Sequence, residues 1–402
     1  MTNERDQAFN NWLVAVRRDL HAHPELAFEE RRTTKKLTQL LEEIGVEVQS
    51  FKTHTGVVGL LRGAADGPTI ALRADIDALP VEELGTVDYR SCHEGRMHAC
   101  GHDANTAIMV GVARRLVESG ALQHCSGNVK FIFQPAEENL SGARTMIKAG
   151  VLEAPKVNRL LAGHMSPDMP VGRIGIFKNI GYASSDRFDI VVTGKGTHGA
   201  RPEDGNDPIV AGAALVTLMQ SVVSRNIKPT LAGVITVGLF QGGTAGNVIP
   251  ESARMTGTIR ALDTDVRQTL IRRLKEVSAG VAAAYGVHCA VRVHDGSPVL
   301  MTDESVSASI YETACEVLGP EKVQYIPPIM ASEDFAFYTP KCPASIIRLG
   351  CANSATGIVH PLHSAYFDID ERVLTIGVDV FSQAVVRYLG NPPYPNGDGL
   401  DR

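Results

Sequence analysis

The sequence lacks the features that would place it in several special classes of protein. No run of about 18 apolar residues occurs among its 402 residues, so no membrane span is predicted. Positive charge is not in excess, and the net charge of −6 gives no reason to expect a nucleic-acid partner. The first residues, Met1–Asp6, lack the basic-then-apolar order of a signal peptide. We therefore expect a cytoplasmic protein with no membrane contact.

Cysteine is also too sparse and too irregularly spaced for a disulfide framework. The seven cysteines are odd in number and show no paired spacing, which is typical of a reducing compartment where thiols stay free. With 44% hydrophobic and 21% charged residues, the composition is that of a globular protein. A chain of 402 residues is too long for one ordinary core, so two domains are predicted.

Apolar strands alternate with helices over most of the chain. Strands are predicted at Thr69–Asp77, Val129–Phe133 and Leu160–His164, and a helix at Gly142–Lys148 connects the last two. This alternation predicts the α/β class, with a mostly parallel sheet that has helices on both faces. Ligands of such sheets bind beyond the carboxyl ends of the strands.

The pattern changes between residues 186 and 295. Strands that alternate in polarity and two helices follow the order β-α-β-β-α-β, which predicts an inserted α+β domain with helices on one face of an antiparallel sheet. The first domain would then consist of residues 1–185 and 296–402. Its second segment is expected to include a helix starting at Ser332, a last helix from Glu371 to Leu389, and a loose tail over Gly390–Arg402.

Residues with metal-binding side chains follow several of the predicted strands. Asp75 and Asp77 end one strand, the pair Glu137 and Glu138 follows a second, and His164 ends a third. The stretch Met97–Asp103 adds Cys100 and His102 at a turn that feeds a helix, where Gly101 permits an unusual backbone shape. Each signal alone has an ordinary explanation, since a cysteine is often a small buried hydrophobe and an acidic pair is often solvated. Their convergence on one rim of the sheet favours a metal site.

Longer stretches of the chain resemble the M20 metallopeptidase family, in particular its amidohydrolase branch of hippurate hydrolases, N-acyl-amino-acid hydrolases and auxin-conjugate hydrolases. The matching stretches run nearly end to end and occur in the family's order: Arg18–Leu26, Arg73–Pro80, Met97–Asp103, Phe133–Glu138, Gly242–Pro250, Glu333–Tyr338 and Leu362–Ser364. Each motif is modest alone, but chance does not explain the whole series.

The resemblance implies a two-metal centre with one catalytic base. Carried over by position, the base is Glu137 and the ligands are Cys100, His102, Glu138, His164 and His363. Cys100 is the natural bridge, because a thiolate has spare lone pairs and a metal deprotonates it. Such mixed ligands suit two divalent ions per subunit; we expect zinc, with manganese, cobalt or nickel as alternatives that spacing does not distinguish.

The resemblance also assigns roles outside the ligand set. The inserted domain would act as a lid and would hold two subunits together as a homodimer or within a tetramer. His198 matches a lid histidine that approaches the substrate carbonyl oxygen, and Asn247 and Arg260 match positions that grip the substrate carboxylate. Asp75 and Asp77 are interpreted as groups that orient a ligand imidazole, not as ligands.

One position departs from the family pattern. The branch usually has His-Asp-x-His-Thr after the cysteine, whereas this chain has Asn105 in place of the second histidine. Asn105 lies three residues after His102, about on the same helix face, and is expected to border the site. The proposed ligands stay intact, but substrate preference is open at this point.

The predicted function is metal-dependent hydrolysis of the amide bond in an N-acyl-amino acid, with a metal-activated water and Glu137 as general base. A dipeptidase or carboxypeptidase on the same centre is the nearest alternative. A catalytically silent metal-binding or sensor protein, and an enzyme that uses Cys100 as a redox or nucleophilic cysteine, are alternatives of other classes. The acyl group and the amino acid are not specified by these residues.

Overall fold

A computed structural model describes residues 2–390, whose packing divides into two units. The first contains residues 2–179, 302–327 and 337–390, and the second contains residues 180–301 and 328–336. The predicted insertion, residues 186–295, falls within the second unit, and its exact limits stay a prediction. Residues 391–402, which make up nearly all of the predicted tail, lie outside the described residues.

The first unit is built on an eight-stranded sheet, with elements numbered along the chain. Its strands are β1 (Glu47–Ser50), β2 (Val57–Arg62), β3 (Ala65–Asp75), β4 (Ser126–Gln134), β5 (Val157–Pro170), β6 (Ile174–Phe177), β15 (Val323–Ile326) and β16 (Ala344–Ala352). Their order in the sheet is β1-β2-β4-β3-β5-β16-β6-β15. Its helices are α1 (Thr2–Ala22), α2 (Arg31–Ile44), α3 (His102–Ser119), α4 (Gly142–Lys148), α7 (Glu304–Leu318) and α8 (Arg372–Gly390).

The centre of this sheet is parallel, as the α/β prediction requires. Strand β3 pairs in parallel with both β4 and β5, and β5 pairs in parallel with β16. These strands are apolar and buried along most of their length, because helices cover them. Helix α3 itself is buried over most of its first three turns, so its N-terminus is held firmly at the sheet rim.

The second unit is the predicted α+β arrangement. Its strands are β7 (Ile180–Tyr182), β8 (Ser184–Thr193), β9 (Thr197–His198), β10 (Gly233–Gly242), β11 (Val248–Ile249), β12 (Ser252–Ala261), β13 (His288–Ser297) and β14 (Leu300–Met301), and its helices are α5 (Pro208–Asn226) and α6 (Thr264–Tyr285). The main sheet has the order β10-β12-β8-β13, with every neighbouring pair antiparallel. Phe188, Ile190 and Val192 of β8 pack with Leu215 and Leu270 of the helices, so one sheet face is covered.

Three local predictions were wrong. Strand β3 ends at Asp75, so Asp77 lies two residues beyond the strand that was expected to contain it. The helix expected from Ser332 is only a short 3-10 helix, Asp334–Phe337. His164 does not end its strand, because β5 continues to Pro170 along its neighbour β16. The pairing of β5 with β3 ends at Ala162, so His164 lies two residues beyond the last residue that pairs with β3.

Two helices, α5 and α8, are long and apolar enough to pass as membrane spans by length and composition alone. This is weak evidence for a membrane, since the core helix of a globular protein passes the same test. Helix α8 fits that explanation because 61% of its apolar window is buried against the rest of the chain. For α5 the buried share is 33%, which leaves an apolar surface uncovered.

Candidate metal centre

The turn before α3 places two of the candidate ligands. Gly101 has φ 82°, a left-handed conformation that favours glycine, and a Cβ there would lie 2.6 Å from Met165 Cγ. The glycine therefore allows the chain to turn tightly against β5 between Cys100 and His102. Helix α3 begins at His102, whose side chain is fully buried.

The five predicted ligands come together in the first unit. One set of three ligand atoms belongs to Cys100, His102 and His164, and a second belongs to Cys100, Glu138 and His363. Within each set all atoms lie within 4.8 Å of one another. Because the sets share the Cys100 sulfur, this arrangement suits two ions bridged by one thiolate. The predicted base Glu137 belongs to a third such set, with His102 and Glu138.

The ring of His102 is oriented from behind by Asp77. His102 Nδ1 lies 2.9 Å from the backbone oxygen of Asp77, to which it donates, and 3.4 Å from Asp77 Oδ1. A proton fixed on Nδ1 leaves Nε2 with its lone pair free for a metal. Asp77 also accepts a hydrogen bond from the backbone N–H of Glu138 through Oδ2, at 2.9 Å. Asp77 thus orients two of the candidate ligands, His102 through its backbone oxygen and Glu138 through its carboxylate.

The ligand nearest the C-terminus is held by a strained loop. His363 has φ 65°, uncommon for a residue other than glycine, and its N–H donates to the carbonyl oxygen of Ala99 at 2.7 Å. Its Nε2 lies 3.7 Å from Glu138 Oε1. The imidazole is exposed, whereas Cys100 and His102 are buried. The centre is therefore closed on the protein side and open at His363.

Electrostatics favour a bound cation at this place. Burial raises the pKa of the Cys100 thiol well above its usual value, so its thiolate form needs a nearby positive charge. Burial and the neighbouring Arg348 guanidinium lower the pKa of His164 to about 3. The His164 ring is therefore neutral, as a metal ligand must be. Burial also raises the pKa of Glu138, so a nearby positive charge would favour its ionised, metal-binding form.

Buried atoms without hydrogen-bond partners also favour a bound cation. His102 Nε2 and Glu138 Oε1 are buried and have no hydrogen-bond partner among residues 2–390, although they lie 3.9 Å apart. A buried polar atom without a partner costs free energy unless something else satisfies it. A divalent cation would satisfy both atoms at once, so the residues present fit a two-metal centre.

Asn105, the residue that departs from the family pattern, lies behind the ligands. It is buried and its Nδ2 donates to Asp75 Oδ1 at 2.8 Å. Asp75 also accepts from Arg73 Nη1 at 2.8 Å, and its Oδ2 lies 3.5 Å from His102 Nε2. Asn105 therefore acts on the centre through Asp75, where we expected it to border the site directly.

Two buried arginines near the candidate ligands were not predicted from the sequence. Arg348 on β16 lies with Nη1 3.2 Å from His164 Nδ1, and Arg17 on α1 donates from Nε to Asp103 at 2.7 Å. Asp103 follows the candidate ligand His102 and also lies 2.8 Å from the His21 ring. The available signal was an arginine inside an otherwise apolar segment, at Ala344–Leu349 and on the apolar face of α1.

The residues predicted to bind substrate lie in the second unit. His198 on β9 and Asn247 are close neighbours, because the N–H of Gly199 donates to the Asn247 carbonyl oxygen at 2.8 Å. His198 Nδ1 accepts the N–H of Ala200 at 3.0 Å, so the neutral ring carries its proton on Nε2. Arg260 on β12 is half buried, and its Nη1 donates to the carbonyl oxygen of Met330 at 3.0 Å.

An open groove of about 660 Å³ lies beside two of these residues. It is lined by residues 242–246 and 248–250 together with Gly199, Pro202, Asp207 and Ile209, so Asn247 interrupts the lining and His198 adjoins it. Four glycines contribute to the wall, which leaves backbone groups accessible to a ligand. The groove belongs entirely to the second unit.

Comparison with known proteins assigns the family. The sequence profile described as Peptidase family M20/M25/M40 matches residues 71–387. The chain belongs to this family. The N-acetylcysteine deacetylase of Bacillus subtilis is 40% identical over 382 residues, which cover 95% of this chain and 98% of that protein. Thermostable carboxypeptidase 2 of Saccharolobus solfataricus is 35% identical over 382 residues, covering 94% of this chain and 95% of that protein.

Among solved structures, the Bacillus subtilis YXEP protein is described as a dinuclear metal binding peptidase from the M20 family. It matches with a TM-score of 0.82 at 35% identity, covering 95% of this chain and 99% of that chain. The α/β fold with its second, α+β unit is therefore an M20 fold, as predicted. The chain is a metal-dependent hydrolase of the M20 family, of the amidohydrolase type.

Proposed function

We propose that this M20 hydrolase cleaves the amide bond between an acyl group and an α-amino acid, releasing a carboxylate and a free amino acid. The observation that carries the proposal is the pair of ligand sets that share Cys100, with Glu137 beside them. Two divalent ions, when bound, would lower the pKa of a water and polarise the scissile carbonyl group. The similarity to an N-acetylcysteine deacetylase supports an N-acyl-amino acid as the substrate class.

Glu137 is the proposed base. Its side chain is buried, and a carboxylate in a dry site is well suited to take a proton from the attacking water. The water oxygen forms the new bond to the carbonyl carbon, the C–N bond breaks, and Glu137 returns the proton to the leaving amine nitrogen. The carboxylate ends the cycle as it began, and the mechanism needs no covalent enzyme intermediate.

The second unit supplies the groups that we propose for substrate binding. The proton on His198 Nε2 is available for a hydrogen bond to the carbonyl oxygen as negative charge develops there. Arg260 and Asn247 are proposed to hold the carboxylate of the amino-acid part, since a guanidinium pairs with a planar anion through two hydrogen bonds.

Zinc is the proposed metal, with two ions in each subunit. One thiolate, three imidazoles and one carboxylate form a borderline-soft ligand set that suits zinc, and manganese, cobalt and nickel remain alternatives. Metal analysis of the protein as purified, followed by reconstitution of the apoprotein with each ion, distinguishes these choices. Full activity with magnesium alone would contradict the assignment, because magnesium prefers oxygen ligands.

The test of the function is a substrate panel on protein of known metal content. We expect hydrolysis of N-acetyl- and N-benzoyl-amino acids, and a loss of several orders of magnitude in kcat for Glu137→Gln with the metal retained. Unchanged turnover in Glu137→Gln would refute the assigned base. As a matched comparison, Glu138→Gln should lose metal as well as activity.

A dipeptidase or carboxypeptidase activity on the same centre is the second candidate. It is supported by the similarity to a protein named thermostable carboxypeptidase 2. Comparing kcat/KM for N-acyl- and aminoacyl-amino acids in one panel decides between them.

Candidates of other classes make different predictions. A silent metal-binding or sensor protein would bind metal but hydrolyse no member of the panel. A nucleophilic Cys100 would survive chelation and be lost on alkylation. The proposed hydrolase instead loses activity on chelation and regains it when metal is added.

We also propose a cytoplasmic homodimer that associates through the second unit, alone or within a tetramer. Strand β10 is an edge strand, and its Leu239 and Phe240 are 40% and 39% exposed. Val210 and Leu218 of α5 are 50% and 45% exposed. An exposed edge with an apolar surface beside it is typical of a subunit interface. All seven cysteines are free thiols, which supports a reducing compartment.

Sedimentation of the full chain tests the dimer. Leu218→Glu combined with Val210→Glu should shift the protein towards monomer, whereas Val117→Glu, at a 39% exposed position of the first unit, should not. A dimer that persists unchanged in the double variant would place the contact elsewhere.

A further inference from the structure

The loop that carries the two glutamates has an unusual backbone. Ala136, directly before Glu137, has φ 56°, the left-handed conformation that residues with a Cβ rarely adopt. Ala136 is completely buried. A conformation of this kind persists only where surrounding contacts hold it in place. The direction in which Glu137 leaves the main chain is set at this residue.

One side-chain acceptor holds the N–H of Ala136. Glu30 is 0% exposed, and its Oε1 accepts the N–H of Ala136 at 2.9 Å. Its other oxygen, Oε2, accepts the hydroxyl of Thr55 at 2.5 Å. Both carboxylate oxygens of a fully buried glutamate are therefore used, one of them on the loop that carries the proposed base.

The carbonyl side of the same peptide segment is also fixed. Ala136 O accepts the N–H groups of Ser141 and Gly142, at 3.3 and 3.0 Å. A Cβ at Gly142 would lie 1.6 Å from the carbonyl oxygen of Pro135, so only glycine fits at this position. The loop is thus closed on itself at the carbonyl of Ala136 and is held from outside by Glu30 at its N–H.

The motif Arg18–Leu26 contains none of the candidate ligands. One of its residues, Glu25, holds the segment next to Glu30 in place. Glu25 accepts the N–H groups of Arg32 and Thr33 at 3.0 and 2.8 Å, which fixes the first turn of α2. The backbone oxygen of Glu25 accepts the N–H of Ala78, the residue after Asp77, at 2.8 Å. Glu30 directly precedes α2, so its position is tied to the segment after β3 in which Asp77 orients His102.

We propose that Glu30 is a positioning residue for Glu137, acting through the N–H of Ala136. The proposal rests on the assignment of Glu137 as the base. Glu30 touches neither metal ligands nor substrate in this arrangement; it sets the direction of the proton-transferring carboxylate. A displacement of a reacting group by about 1 Å costs on the order of 100-fold in rate.

The test compares two substitutions at the same position. Glu30→Ala removes the acceptor, and we expect kcat to fall about 100-fold with KM within about twofold and metal content unchanged. Glu30→Gln keeps an oxygen for the Ala136 N–H, and its amide can donate to the Thr55 hydroxyl, so kcat should stay within a few-fold of the parent. Glu29→Ala is the matched control, since Glu29 is the exposed neighbour that pairs with Arg96 at 2.8 Å.

A second measurement does not depend on activity. Amide hydrogen exchange at Ala136 in the metal-free protein should be faster in Glu30→Ala than in the parent and in Glu29→Ala. If Glu30→Ala does not fold, Thr55→Val is used instead: it leaves Glu30 Oε2 without its donor and should give a smaller effect in the same direction on both measurements.

The outcomes separate the two proposals. If kcat per metal-loaded site in Glu30→Ala stays within about threefold of the parent, or if Glu30→Gln is as impaired as Glu30→Ala while Ala136 exchange is unchanged, the positioning role is wrong. If the parent protein hydrolyses no member of the substrate panel, the proposed function fails. The exchange experiment then still decides whether Glu30 holds Ala136.

Discussion

Three of the candidate ligands in the first unit are buried, whereas two of the candidate substrate-binding residues in the second unit are exposed. In the first unit, Cys100, His102 and His164 are buried, and fixed groups such as Asp77 and Arg348 contact the two histidine rings from behind. In the second unit, His198 and Asn247 are exposed and their contacts are made mostly by the local backbone. Residues that bind ions need fixed geometry, whereas residues that meet a diffusing substrate must be accessible. The contrast predicts different responses to substitution.

The largest effect is expected at the shared sulfur. Cys100→Ala removes a ligand from both sets, so metal content should fall below two ions per subunit and kcat/KM should fall by about 10³ or more. Elemental analysis and steady-state kinetics measure both quantities. Cys125→Ala is the control, because Cys125 is buried in the same unit but belongs to neither of the two ligand sets. Two ions retained in Cys100→Ala would show that the sulfur is not a bridge.

A smaller and purely kinetic effect is expected in the second unit. His198→Ala removes the proposed hydrogen-bond donor to the developing oxyanion, so kcat should fall about 10²-fold. The metal content and the unfolding midpoint should stay near those of the parent protein. Since His198 is exposed, little packing is lost. The exposed His288 of the same unit serves as the comparison, and His288→Ala should have no effect. Loss of metal in His198→Ala would remove the distinction between the units.

The smallest effect concerns stability and pH. Burial raises the pKa of Glu30 from 4.5 to about 7. The folded protein therefore binds this proton more tightly than the unfolded chain. The stabilisation from the proton is present below pH 4.5 and lost as the pH rises towards 7. Glu30→Gln removes this dependence, so its free energy of unfolding should rise relative to the parent by up to about 3 kcal/mol across that window.

In the second unit, the pKa of the Asp189 carboxylate is shifted in the opposite direction to that of Glu30. Hydrogen bonds from Arg254 and Thr256 lower the pKa of Asp189 below its usual 3.8. Its stabilisation is present above the unfolded pKa and is lost only as the pH falls through the lower folded value. The destabilisation caused by Asp189→Asn should thus diminish as the pH falls below 3.8. Denaturant titrations of both variants at several pH values measure this, and parallel pH trends would contradict the assignment.

Much of the fold and the centre follows from local patterns. The apolar strand 129–133 and the alternating strand 187–192 were predicted from their hydrophobic patterns. Such a pattern depends on whether both faces of a strand or only one face is buried. The five ligands were identified through family motifs, and the structure brings their side chains together. Their roles as ligands stay predictions.

The parts that sequence reasoning missed depend on contacts between distant segments. Glu30 was not a candidate because nothing local to residue 30 refers to residue 136, and Arg348 was hidden in an apolar strand. The helix expected at Ser332 is only the short 3-10 helix Asp334–Phe337, because a helix continues beyond its first turn mainly through the packing of an apolar face against other segments. Pairwise contacts over more than 100 residues have no signature in a single sequence.

The order of the ligands along the chain has a consequence for biosynthesis. Cys100, His102, Glu138 and His164 precede the second unit, while His363 follows it. The whole second unit is therefore synthesised before the last candidate ligand, His363. Nascent chains up to that stage carry a thiol, two imidazoles and a carboxylate without the fifth candidate ligand, so we expect full ion loading only after His363 has been synthesised.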